Sequence, residues 1–91
     1  MATQQKLSFR QTLKAELTGI VSINDLRYKE FNNIELSSNE ALALRNFDKF
    51  RITELNKIKS DEEFHIRYRE LQVMANLGDY QEFLKSDYSA L

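Results

Sequence analysis

Cysteine, proline and tryptophan are absent from this 91-residue chain, and glycine occurs only at positions 19 and 78. Without cysteine there is no disulfide framework, no thiolate metal site and no cysteine nucleophile. That absence fits a reducing compartment, and a cytoplasmic location is the expectation. With no proline and only two glycines, helix breakers are scarce and the chain should be mostly helical. Long apolar runs are also missing, the longest being Ala41 to Leu44, far short of a membrane span. The opening MATQQK has no apolar stretch and no glycine at position 2, so it supports neither export nor myristoylation. A formal charge of −1 provides no global field for nucleic acid.

The content that remains is that of a globular domain. Hydrophobic residues make up 42% of the chain and six Phe and four Tyr supply bulk, which argues against disorder. Charge is uneven: residues 1–59 carry ten Lys/Arg against seven Asp/Glu, and residues 60–91 carry three against seven. A mildly basic part and a mildly acidic part either attract one another or are simply solvated. The length suits one domain, read as a flexible tail over 1–7 and a single helical domain over 8–91.

Helix-start signals recur along the chain. Ser8/Gln11, Ser22/Asp25, Ser37/Glu40, Ser60/Glu63 and Asp79/Glu82 are cap-like pairs at i, i+3, each opening an apolar-periodic segment. They predict helices over about Phe9–Thr18, ended by Gly19, and about Ile23–Phe31, with Ile23, Leu26 and Phe31 inward. Ile20, Val21 and Ile23 read as an apolar turn that plugs the core, with no second strand available to pair with an extended piece. Asn32-Asn33 is a turn signal. A long helix follows over about 38–59, then one from Ser60 to Gly78 and a last short one after Asp79, with Tyr80, Phe83, Leu84, Tyr88 and Leu91 apolar. The fold class is therefore all-α, a compact bundle of four to five helices around one long central helix.

On a helical wheel the long helix puts Ala41, Leu44, Phe47, Phe50, Ile52, Leu55 and Ile58 on one face. Arg45, Asn46, Lys49, Thr53, Asn56 and Lys57 take the other. Asp48, Arg51 and Glu54 fall inside the apolar arc, where i, i+3 pairing of Asp48 with Arg51 and of Arg51 with Glu54 would form a polar seam. The next helix carries a main stripe, Phe64, Tyr68, Leu71, Met74 and Ala75, and a separate one, Ile66, Val73 and Leu77. A helix with two apolar faces packs between two neighbours or offers one of them to a partner.

Constellations for chemistry are sparse. The only histidine, His65, makes E-x-x-H with Glu62, but both share the polar side of their helix with Arg69, Gln72 and Asn76. No metal, cofactor or small-molecule site follows from them. There is no Gly-rich phosphate loop and no G-x-S-x-G elbow, and an enzyme is not expected.

Two fragments invite comparison. Gly19 to Tyr28, GIVSINDLRY, resembles the helix-turn-helix of MerR-type regulators over about ten residues, which implies Arg27 and Tyr28 near DNA phosphates. The family's basic wing is missing between Phe31 and Ser38, and the turn needs one extra residue. Ala75 to Glu82, ANLGDYQE, looks like the turn of a tetratricopeptide repeat. Nothing one period of about 34 residues upstream matches it, so it reads as a plain helix-hairpin turn.

The function expected from these features is a non-catalytic protein–protein interaction module: an adaptor, an inhibitor or an assembly factor. Its partner would be another protein or a second copy of itself, engaged through Asp48, Phe50, Arg51, Glu54, Ile66, Val73 and Leu77. The alternative is a small DNA-binding regulator using residues 9–31, with contacts from Arg27 and Tyr28, although the acidic balance disfavours nucleic acid.

Overall fold

Ser22 and Ser37 do what the cap-like spacing asks of them. Each side chain accepts from the backbone N–H three residues on, and the acid there, Asp25 or Glu40, accepts from the cap's own N–H, closing two capping boxes. The computed structural model describes residues 17–89 and is helical throughout, with no strand among the described residues. Its elements are α1 (Ile23–Phe31), α2 (Ser38–Asn56), α3 (Asp61–Leu77), a 3-10 helix (Tyr80–Leu84) and a single-turn α4 (Ser86–Ser89). The expected tail over 1–7 lies outside the described residues. So does the expected first helix, apart from Leu17 and Thr18, which are helical. Gly19 then takes the left-handed conformation, φ +70°, that ends a helix at little cost only for glycine.

One boundary differs from the sequence reading, and three other helix ends fall where expected but close with a different cap geometry. The long helix stops at Asn56 rather than near Lys59, because the N–H groups of Lys57 and Ile58 turn back to carbonyls three residues earlier and tighten the last turn. At Ser60 only half of a capping box forms, the hydroxyl accepting from Glu63 N–H. Asp79 accepts from Gln81 N–H rather than from Glu82, and the segment it opens winds as a 3-10 helix before α4. Gly78 ends α3 with extended, not left-handed, backbone. An added Cβ there would meet the Met74 carbonyl oxygen at 2.9 Å, so this position needs glycine for space.

The core gathers Ile23 and Leu26 of α1, Ala43, Leu44 and Phe47 of α2, Leu71 and Ala75 of α3, and Phe83 of the 3-10 helix, all buried. Val21 packs against it from the turn before α1, and its carbonyl accepts from Tyr80 N–H at 2.9 Å. That bond joins the two ends of the described chain. The turn after α1 is completed by Asn33, whose φ of 59° is one that asparagine tolerates, and by the Ile34 N–H donating to Lys29 O at 2.8 Å.

The buried stripe of α2 is rotated about the helix axis relative to the sequence reading. Ala41 and Ile52 face solvent, and Ala43 and Asn46 point inward. The physical reason is the 3-10 helix, which makes the most extensive contact with α2. Asn46, 2% exposed, donates through Nδ2 to the Phe83 carbonyl at 2.7 Å. Rings then close around that bond. Phe47 meets Phe83 edge-on at 5.0 Å, Phe50 meets Tyr88 edge-on at 5.1 Å, and Tyr88 lies 4.9 Å from Phe83. Edge-to-face pairs of this kind add about 0.5–1.5 kcal/mol each beyond the area they bury. Phe31 departs as well: expected inward, it is 86% exposed at the last residue of α1.

These placements generate a contrasting pair of outcomes. Asn46→Ala should destabilise the protein by about 1–3 kcal/mol in urea unfolding, because it strands the buried Phe83 carbonyl. Phe31→Ser should change stability by no more than about 0.5 kcal/mol.

Candidate functional site

The three charges that fell inside the apolar arc of α2 are used as cross-links between helices. Asp48 takes a fork from Arg27 of α1, Nη2 to Oδ1 at 2.7 Å and Nη1 to Oδ2 at 3.4 Å. Arg51 approaches the same Oδ1 at 3.6 Å, an ion pair too long for a hydrogen bond. Glu54 accepts from Arg67 of α3, with Nη2 at 2.7 Å and Nε at 3.2 Å on one oxygen, and from Lys57 at 3.0 Å on the other. The expected Arg51–Glu54 pair is not made. Glu54 turns instead toward α3, where Arg67 also donates to Glu70 and lies 5.8 Å above the Phe50 ring. The seam thus ties α2 to α1 at one end and to α3 at the other.

All of these groups are partly solvated, and pairs of this kind contribute about 0.2–1 kcal/mol each. Their electrostatic imprint is clear in direction. Hydrogen bonds from Lys57 and then Arg67 hold the Glu54 carboxyl below the usual carboxylate range. At Glu40 partial burial works the other way, but the Ser37 backbone N–H and the Lys29 ammonium together outweigh it and lower the pKa.

Between α1, α2 and α3 these cross-links leave an open cleft of about 390 Å³. Phe47, Leu71 and Ala75 line its apolar part, Arg27 and Arg51 are its charged residues, and Tyr68, Asn24, Gln72 and Asn76 complete the lining. The Asn24 amide donates to the Asn76 carbonyl oxygen, joining α1 to α3. No acidic residue lines the cleft.

The second candidate surface is the outward side of α3. Ile66, Val73 and Leu77 are 51%, 54% and 65% exposed, on the side of the helix opposite buried Leu71 and Ala75. Phe64 and Tyr68 are also exposed in part and stack on each other at 6.2 Å, so the stripe expected to be core is core only in its second half. Glu62 and His65 lie exposed in the first two turns. Among the described residues no cluster of His, Cys, Asp or Glu is grouped to hold a metal ion.

Of the residues expected at a partner interface, Ile66, Val73 and Leu77 share one exposed face. Phe50 packs instead into the aromatic cluster, and Asp48 and Glu54 are engaged within the chain. Of the two proposed DNA contacts, Arg27 is held by Asp48, and Tyr28 is half-buried. Sequence reasoning missed Arg67 and Asn46. Arg67 had a signal, its i, i+3 spacing to Glu70. Asn46 had one only in standing three residues after Ala43 and four before Phe50, within the stripe that proves buried.

Comparison with protein-family models, with curated proteins and with solved structures found no match for the chain.

The depressed carboxylates have a pH consequence with a definite sign. A carboxyl whose folded pKa lies below its unfolded value contributes stability that is complete above the ordinary value, about 4.3 for Glu. That contribution is lost as pH falls through the folded value. Glu54→Gln should therefore lower stability at pH 7 by no more than about 1 kcal/mol, and the gap from wild type should narrow in thermal melts as pH falls below the ordinary carboxylate range.

Proposed function

We propose that this chain is a small non-catalytic protein–protein interaction module that binds its partner through the outer face of α3. The observation that carries the reading is the exposure of Ile66, Val73 and Leu77 together, opposite the core face of the same helix. A helix that is apolar on two sides has one side left to cover, and clustered exposed aliphatics are how an interface core presents itself before binding. The polar seam supports the reading indirectly. Asp48 and Glu54 spend their charge inside the molecule, so the contact would be made chiefly by α3 rather than by α2. The DNA-binding alternative through Arg27 and Tyr28 has less support, since the Arg27 fork is already taken by a carboxylate and the formal net charge is −1.

A photo-crosslinking residue placed at Val73 in the native host, with one at exposed Lys49 as the comparison, tests the proposal. The expected result is a discrete covalent adduct at Val73 that is absent at Lys49. An adduct of twice the chain's mass would identify the partner as a second copy. Uniform or absent crosslinking at positions 66, 73 and 77 would overturn the reading.

A further inference from the structure

Arg27 and Arg51 share one carboxylate, and that sharing is unequal. Asp48 takes its hydrogen bonds from the Arg27 fork, and Arg51 stands in a 3.6 Å ion pair with no hydrogen bond to the same oxygen. Asp48 itself does not line the cleft; Arg27 and Arg51 do, with Asn24, Gln72, Asn76 and Tyr68 around them. The local balance of Arg27, Arg51 and Asp48 is one surplus positive charge beside an apolar patch of Phe47, Leu71 and Ala75. Such a site is built for a single negative charge attached to an apolar body.

We propose that the cleft binds the carboxylate of an acidic side chain on a partner protein, with an adjoining apolar residue of that partner lying over Tyr68 and Phe64. Three features select this occupant. One surplus charge matches a monoanionic carboxylate, whereas a phosphate dianion would be undercompensated. A guanidinium with open donors recognises a carboxylate in a planar, two-pronged geometry. Tyr68 lines the cleft and stacks on Phe64 at 6.2 Å, so an exposed aromatic pair adjoins the cationic cleft. Arg27 acts as a positioning residue, fixed by Asp48, and Arg51 supplies the free donors. A pocket of about 390 Å³ has room for one acidic side chain and part of its neighbour.

The proposal rests on the interaction-module reading but uses a different face of α3, so the two fail separately. Titration of 15N-labelled protein with the capped heptapeptide AAEALFA, its glutamine analogue AAQALFA and inorganic phosphate tests it. The resonances to follow are the Arg51 Nε–H and the side-chain amides of Asn24, Gln72 and Asn76. The glutamate peptide should bind about tenfold more tightly than the glutamine one, the difference expected of one charge-assisted hydrogen-bonded pair. Arg51→Met should abolish that preference while leaving the circular dichroism unchanged, and Arg51→Lys should restore part of it. Equal binding of the two peptides, tighter binding of phosphate, or shifts confined to Ile66, Val73 and Leu77 would overturn the proposal. The first two outcomes would leave the crosslink at Val73 untouched, and the third would point to the outer face of α3 instead.

Discussion

The packing of the central helix turns on a polar bond inside the apolar centre, from the Asn46 amide to the Phe83 carbonyl. A 3-10 helix has poorer hydrogen-bond geometry than an α-helix and is rarely stable in isolation. Here five residues of it complete the core, because one of their carbonyls is met by a buried donor on the longest helix. The bond requires Asn46 to face inward, which rotates α2 and brings Ala43, Phe47 and Phe50 toward Phe83 and Tyr88. A leucine at position 46 would bury comparable volume but leave the carbonyl unpaired, so the amide earns its buried place through geometry rather than hydrophobicity.

Rotation of α2 also determines what becomes of its charges. Turning the stripe toward Ala43 moves Asp48 and Arg51 to the α1 side and Glu54 to the α3 side. Of the three charges that looked misplaced on an apolar face, Asp48 stands at its edge, where Arg27 reaches it, and Glu54 stands about two turns beyond Phe47, past the buried stripe, where Arg67 reaches it. Each pair is weak alone, but the pairs act at both flanks of the central helix and resist its rotation out of register. Specificity of packing is the better description of their contribution than stability.

The outer surfaces follow from the same arrangement. α3 uses Leu71 and Ala75 against α1 and α2, which leaves Ile66, Val73 and Leu77 facing solvent and sets Tyr68 at the mouth of the cleft. With Asp48 occupied by Arg27, Arg51 becomes the guanidinium with donors to spare. The two proposed contact surfaces, one apolar and one cationic, are thus by-products of how the core and the seam were satisfied.

Local chemistry accounts for what could be read from residue order. Hydroxyl and carboxyl caps at Ser22, Ser37, Ser60 and Asp79, a left-handed Gly19 and the Asn32-Asn33 turn are governed by neighbours within three or four residues, so helix existence and most helix starts were legible. The exposed stripe of α3 was legible as well, because an amphipathic period is a property of one helix. The facing of α2, the 3-10 winding after Asp79, the exposure of Phe31 and the Arg67–Glu54 link were not. Three of these depend on a partner far along the chain: Phe83 for Asn46, Val21 for Tyr80, and Arg67 for Glu54, the last two 13 positions apart. Periodicity reports which residues share a side of a helix. Only the approach of another element specifies which side is covered.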